Sequence, residues 1–156
     1  MSQIEVRLVE QAELPLLARH GHLFYAEAPS LPGDYSQEQF MKIWTGVLRS
    51  KLGIVLGAFD DDDEVCGAIM GILYQDMHSD ALVLTEAAWF VLPDARGKGV
   101  GSQLLGEFEN WGRMAGAHYV RMAHLANSMP EELKTFYEAK GYSVLEVAYQ
   151  KPICAN

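Results

Sequence analysis

From the amino terminus, Ile4, Val6 and Leu8 alternate with polar neighbours, which is the period of a half-buried strand over Ile4 to Val9. Pro15 fits a first helical turn and leads Leu16, Leu17, Leu23 and Phe24 at roughly helical spacing, with Gly21 as a weak point in the middle. Residues 28–36, APSLPGDYS, hold two prolines and a glycine and are expected to form a loop. Ser36 and Gln39 then have capping-box spacing, and Phe40, Ile43, Trp44, Val47 and Leu48 repeat at i, i+3, i+4, i+7 and i+8 behind them, as an amphipathic helix requires. Gly53 to Phe59 and Val65 to Tyr74 read as strands joined by the acidic run Asp60, Asp61, Asp62, Asp63 and Glu64, so they should pair as an antiparallel hairpin around a solvated turn.

Ala81 to Leu92 is an apolar run broken only by Thr85 and Glu86 and stopped by Pro93, the pattern of a strand buried on both faces. Leu104, Leu105, Phe108, Trp111 and Ala115 form one helical face that ends at Gly116. Tyr119 to Leu125 is the next strand. Ser128 and Glu131 make a second capping box, Leu133, Phe136 and Tyr137 supply a helical stripe closed by Gly141, and Val144 to Gln150 is the last strand. The order β-α-α-β-β-β-α-β-α-β predicts one α/β domain over residues 1–156, with a mixed, mostly antiparallel sheet flanked by helices. No internal repeat or low-complexity linker interrupts it.

Composition narrows the partners. With 156 residues, 49% of them hydrophobic and 21% charged, the chain has the size and make-up of a single globular domain. A net charge of −9 argues against sequence-independent binding to nucleic-acid phosphates, which needs clustered Lys and Arg. The two cysteines, Cys66 and Cys154, form neither a CxxC pair nor a disulfide framework, so a reducing, cytoplasmic setting is expected. The opening MSQIEVRLVEQAELPLL lacks a basic n-region and an uninterrupted apolar h-region, and no run of 18 apolar residues occurs, so neither a secretory leader nor a membrane partner is expected.

The densest chemical signal is RGKGVG, residues 96–101, where the apolar run hands over to a helix. Glycines at 97, 99 and 101 permit positive φ and let main-chain N–H groups approach a ligand closely. The first N–H groups of a helix lack internal partners and lie at the positive end of its dipole, so the turn suits phosphate, and Arg96 and Lys98 add charge. A P-loop fails, because Lys98 is followed by Gly99 rather than Ser or Thr and the first glycine would fall on Leu92. A Rossmann fingerprint calls for Gly or Ala at 102, where Ser102 stands. A ligand-free capping turn is the plain alternative.

Arg96, Gly99 and Gly101 match Arg/Gln-x-x-Gly-x-Gly/Ala, and within VLPDARGKGVGSQLL this resembles the acetyl-CoA motif of the GNAT N-acetyltransferases. FYEAKGY, 136–142, resembles the same family's later F-Y-E-x-x-G-F/Y signature at the spacing of one helix and one strand. The resemblance implies that main-chain groups of Arg96, Gly97, Lys98, Gly99, Val100, Gly101 and Ser102 hold the CoA pyrophosphate, and that the strand around Phe90, Val91 and Leu92 pairs with the pantetheine amides. It further implies direct transfer of acetyl from acetyl-CoA, as co-substrate, to an amine, with no metal.

A lysine-like amine has a pKa near 10.4, so deprotonation at pH 7 costs about 4.6 kcal/mol, and a general base, direct or through water, should help by ~10²- to 10⁴-fold. Glu86 is the candidate, as the only carboxylate inside the apolar strand leading to the turn. It could instead pair with Arg121, or sit where two strands splay apart. An N–H near Val91 would stabilise the oxyanion, and Tyr137 occupies the position of the family's proton-donating tyrosine, though it also fits a core stripe with Leu133 and Phe136. The five histidines show no ligand spacing, so no metal site is expected.

For the acceptor, a small cationic amine or a lysine or N-terminal amine, the segments that the resemblance implies would grip it carry His22, Tyr25, Glu27, Asp34, Tyr35, Tyr74, Asp76 and His78, which predict an acidic cleft. The sequence leaves a homodimer open. The rival reading is a CoA-binding module without catalysis.

Overall fold

The computed structural model describes residues 3–154. β1 (Glu5–Leu8) is followed by a 3₁₀ turn and two short helices, α1 (Leu14–Ala18) and α2 (Gly21–Ala26). Then come α3 (Gln37–Arg49), β2 (Gly53–Phe59), β3 (Val65–Gln75), β4 (Leu82–Val91), α4 (Val100–Met114), β5 (Tyr119–Arg121) and α5 (Pro130–Ala139). The five strands lie in sequence order, β1 to β4 antiparallel and β5 parallel to β4. This is the expected single-domain α/β architecture, with a mixed, mostly antiparallel sheet between helices.

Both faces of the sheet are covered. On one, Val55, Phe59, Ala68, Met70 and Phe90 pack with Leu14, Leu17 and Trp44 of α1 and α3; on the other, Ile54, Leu56, Ile69 and Leu84 pack with Leu104 and Phe108 of α4. The period-2 alternation of β2 and β3 sends successive side chains to these two cores. At Gly71 α4 comes close to β3: a Cβ there would stand 2.4 Å from the Phe108 ring. The lack of a side chain on β3 is what lets the ring seat fully.

Several expectations need correction. The helix from Pro15 to Phe24 is two pieces broken at Arg19 and His20, just before the glycine that weakens it. The Ser36 cap forms, its Oγ accepting the Gln39 N–H at 3.2 Å, but the box at Ser128 and Glu131 does not: Pro130 opens α5 and Met129, at φ 47°, takes the cap position with no side-chain bond. Proline at the first helical position moves the start past the serine. β5 stops at Arg121 rather than running to Leu125. Val144 to Gln150 is not a strand; it lies beyond α5 with no sheet partner among the described residues. Alternation gives a segment the pattern of a strand, but a ladder also needs a neighbour.

Phe108→Ala should lower unfolding free energy by about 3–5 kcal/mol, read as a shift in denaturant midpoint at unchanged m-value. A loss under 1 kcal/mol would show that α4 does not depend on this ring.

Candidate active site

β4 and β5 pair only through Val83, Leu84 and Thr85 with Tyr119, Val120 and Arg121. Beyond that point they part. A bulge begins there as well: Met70 faces Ala88 but Gly71 faces Glu86, which leaves Ala87 as the extra residue in β4. From Glu86 onward the edge of β4 that faced β5 is open.

Leu92 N–H donates to the Cys66 carbonyl at 2.9 Å on the β3 side. In an antiparallel ladder alternate residues bond to the same neighbour, so the Phe90 peptide also turns to β3, while those of Trp89 and Val91 turn to the open edge. Of the strand residues expected to meet pantetheine, Val91 therefore offers its main-chain N–H, its carbonyl being held by Arg96 Nε at 3.0 Å, and Phe90 and Leu92 offer only side chains. The Phe90 side chain is buried against the α1 and α3 core, its ring 6.5 Å from Trp44.

The chain then passes through a 3₁₀ turn, Pro93–Ala95, into the glycine turn. Gly97 has φ +73° and Gly99, the N-cap of α4, has φ +81°, values that L side chains rarely adopt. The first helical bond runs from Gln103 N–H to the Gly99 carbonyl, so the N–H groups of Val100, Gly101 and Ser102 precede the ladder and face out of the helix end. Gly101 also lets α4 start against β4, since a Cβ there would meet the Trp89 ring at 3.3 Å. Lys98 stands exposed. Arg96 does not: its Nε donates to the Val91 carbonyl at 3.0 Å, and its two terminal nitrogens donate to Glu27 at 3.3 and 2.5 Å. The arginine expected to add charge for phosphate instead ties the turn to the end of α2. The pair is half exposed, so it contributes about 1 kcal/mol at most.

Where the strands part, Glu86 and Tyr137 converge on one residue that carries no sequence signal. Ala123 N–H donates to Glu86 Oε2 at 3.3 Å, and Tyr137 Oη donates to the Ala123 carbonyl at 2.8 Å. Burial pushes the Glu86 carboxyl up to about 7, partly opposed by the Ala123 N–H. Burial also raises the Tyr137 phenol, and the Glu86 charge raises it further. Arg121 is not the partner of Glu86; it donates to Tyr74 Oη at 2.6 Å and Asp76 Oδ2 at 3.2 Å. Glu86 sits at the splay. Tyr137 packs against Trp89, ring centroids 5.9 Å apart, and Trp89 Nε1 is buried with no hydrogen-bond partner. Inside an apolar run Trp89 passes for core; its polar ring nitrogen was the one available cue.

The acceptor candidates do not form one cleft. Glu27 is committed to Arg96. Tyr25 and Tyr35, with rings 6.0 Å apart, donate to the carbonyls of Pro32 and Ala18. Hydrogen bonds from the His78 N–H, and also from Arg121 and Ser79, hold Asp76 below the ordinary carboxylate range. No helix among the described residues is long and apolar enough to cross a membrane.

A family model described as acetyltransferase (GNAT) domain matches residues 51–144. No curated protein matches the sequence significantly. Among solved structures, aminoglycoside N-acetyltransferase AAC(6')-Iy in complex with CoA is 19% identical with a TM-score of 0.76, covering 99% of this chain and 97% of its own. A ribosomal-protein-alanine N-acetyltransferase from Brucella melitensis biovar Abortus 2308 is 17% identical with a TM-score of 0.73, covering 96% and 99%. A transcriptional regulator from Bacillus halodurans C-125 is 16% identical with a TM-score of 0.78, covering 97% and 100%. At these identities the likeness is one of fold.

A carboxyl whose pKa rises on folding destabilises the fold once it ionises, so stability should fall as pH rises from about 4.5 to about 7 and then level. Glu86→Gln keeps an acceptor for Ala123 and should remove this slope, becoming more stable than wild type by about 3 kcal/mol at pH 8 and equal to it at pH 4. Parallel melting-temperature curves for the two proteins would contradict the buried, raised carboxyl.

Proposed function

Because the chain belongs to the GNAT acetyltransferase family, and is therefore an acyltransferase, we propose that it moves acetyl from acetyl-CoA directly to a primary amine within a ternary complex. The observation that carries this reading is the convergence of Glu86 and Tyr137 on Ala123, at the point where β4 and β5 part. A carboxylate able to take a proton near neutral pH and a phenol able to give one stand at the same opening.

The residues around that opening suit CoA. The N–H groups from Gly97 to Ser102 take the pyrophosphate, helped by the dipole of α4 and by Lys98, while the Arg96 N–H is already given to the Pro93 carbonyl at 3.2 Å. The open edge of β4 at Val91 takes a pantetheine amide as a neighbouring strand would, and Trp89 Nε1 offers one more unpartnered donor nearby. Acetyl-CoA supplies the activated thioester carbonyl. Glu86, pushed up to about 7, is half ionised at neutral pH and accepts the proton of the incoming ammonium, directly or through water. The Val91 N–H lies on the edge where an oxyanion would develop.

Tyr137 then protonates the leaving sulfur. Its raised pKa works against donation while Glu86 is charged. Once Glu86 has taken the amine's proton it is neutral, that part of the upward push is gone, and the phenol becomes a better acid. The two proton transfers are thus coupled in the order the reaction needs. For the acceptor, a small cationic amine or a lysine or N-terminal amine is supported by the acidic charge of the chain alone, because the candidate acids and aromatics lie apart, on α2, on the loop to α3 and at the β3 to β4 turn, and Glu27, Tyr25, Tyr35 and Asp76 are bonded to other groups.

In assays of thiol release with an amine panel, kcat/KM should climb with pH through about 7 on an acidic limb set by Glu86. Glu86→Gln should abolish that limb and lower kcat by ~10²- to 10⁴-fold. Tyr137→Phe should lower turnover far more than acetyl-CoA affinity measured by titration; unchanged turnover would remove Tyr137 from the chemistry. Tight acetyl-CoA binding with no amine-dependent thiol release would favour a binding module instead.

A further inference from the structure

α5 carries the proposed proton donor, yet it lies lightly on the molecule. Of its residues only Tyr137 is buried, with Leu133 and Phe136 half-buried, and its N-cap, Met129, makes no side-chain bond. Phe136 and Tyr137 rest on Trp89, ring centroids 5.8 and 5.9 Å away. Apolar contact of this kind has little directionality, whereas a hydrogen bond is steep in angle, and a hydroxyl that must hand over a proton has to be aimed.

Among the described residues two side-chain hydrogen bonds tie α5 and its closing turn to other elements. One is made by Tyr137 Oη itself, to the Ala123 carbonyl, and it is given up or shared when that hydroxyl turns to a leaving sulfur. The other lies outside the chemistry: Tyr142 Oη donates to Glu109 Oε1 on α4 at 2.8 Å, while Glu109 Oε2 accepts from Arg113 Nη2 at 3.3 Å. Tyr142 is in turn locked to Tyr137. Gly141, at φ +89°, reverses the chain at the end of α5, so that the Tyr142 N–H donates to the Tyr137 carbonyl at 3.0 Å and the two rings stand 5.7 Å apart. Burial, the bond to Glu109 and its charge raise the Tyr142 phenol, so it stays protonated and keeps donating at neutral pH. The signature at 136–142 admits Phe or Tyr at its last position; the ring alone meets it, and the hydroxyl is an addition.

We propose that Glu109 is a positioning residue for proton transfer: through the Tyr142 hydroxyl it fixes the place of Tyr137 against α4, the helix whose first turn is read as the seat of the donor. This rests on the acetyl-transfer reading of the site. α4 is a firm reference for such a tie, since Leu104, Leu105 and Phe108 anchor it in the core, and a carboxylate acceptor makes the bond stronger than a neutral one would.

Tyr142→Phe deletes one oxygen and keeps the ring. It should lower kcat about tenfold, since a displacement on the order of 1 Å at a reacting group costs up to ~10²-fold, and should leave the acetyl-CoA dissociation constant within about twofold by titration. Hydrogen exchange should speed at the amides of residues 133–139 and stay as it was in α4. Glu109→Ala should cost the same in kcat, with no further loss in the double variant, and Glu109→Gln, which keeps an oxygen to accept from Tyr142, should recover most of it. In a Tyr137→Phe background, Tyr142→Phe should change nothing, a result that general loosening of the fold would not give. Full turnover in Tyr142→Phe where Tyr137→Phe is crippled overturns this inference alone, as does a loss from Tyr142→Phe that persists undiminished without the Tyr137 hydroxyl. Wild type with no amine-dependent thiol release, or Tyr137→Phe at full turnover, is instead the failure of the reading beneath it, and takes the inference with it.

Discussion

The parallel ladder between β4 and β5 lasts three residues and then fails, and the candidate site is made from that failure. If β5 stayed in register, its backbone would fill the edge of β4 that the structure leaves open at Val91, and Ala123 would have its N–H and carbonyl in the ladder. Because the strands part, Ala123 turns its N–H to Glu86 and its carbonyl to Tyr137. The bulge at Ala87 falls at the same place, so both strands change course together. A half-buried carboxyl and a buried phenol, each costly alone, are held by the two peptide units on either side of one residue, Ala123.

The donor side is tied to the rest by backbone more than by charge. The glycine turn is fixed between β4 and α4, with Arg96 spent on Val91 and Glu27 rather than left free for a ligand. That bond reaches 69 residues back along the chain to the end of α2, which links the phosphate turn to the helix beside the expected acceptor region. The turn proposed for the donor and the region expected for the acceptor are therefore joined through one side chain.

What could be read in the sequence was what local periodicity encodes. The alternation at Val6 and Leu8, the Ser36 cap, the i, i+3, i+4 stripe behind it and the apolar runs of β2, β3 and β4 all survive in the structure, because neighbours along the chain decide them. Glu86 and Tyr137 were legible as residues, through an isolated acid in an apolar run and a family signature. Their meeting at Ala123 was not, since it depends on where β5 stops and on a main-chain group that any residue carries. The end of the chain marks the same limit: Val144 to Gln150 has every local property of a strand, and a ladder is a property of two segments.

The cradle at the start of α4 has a bearing on how such a chain can change over generations. The groups proposed to bind there are peptide N–H groups, which no point substitution deletes except one to proline. Gly97 and Gly99, held at positive φ, and Gly101, set against the Trp89 ring, are sensitive to gaining a Cβ. Lys98 and Ser102, whose side chains meet no such demand, are thus free to drift in composition, whereas side chains that would face an acceptor have no such shelter. Selection can then redirect what receives the acyl group by substitution around the loops while the donor end stays as it was.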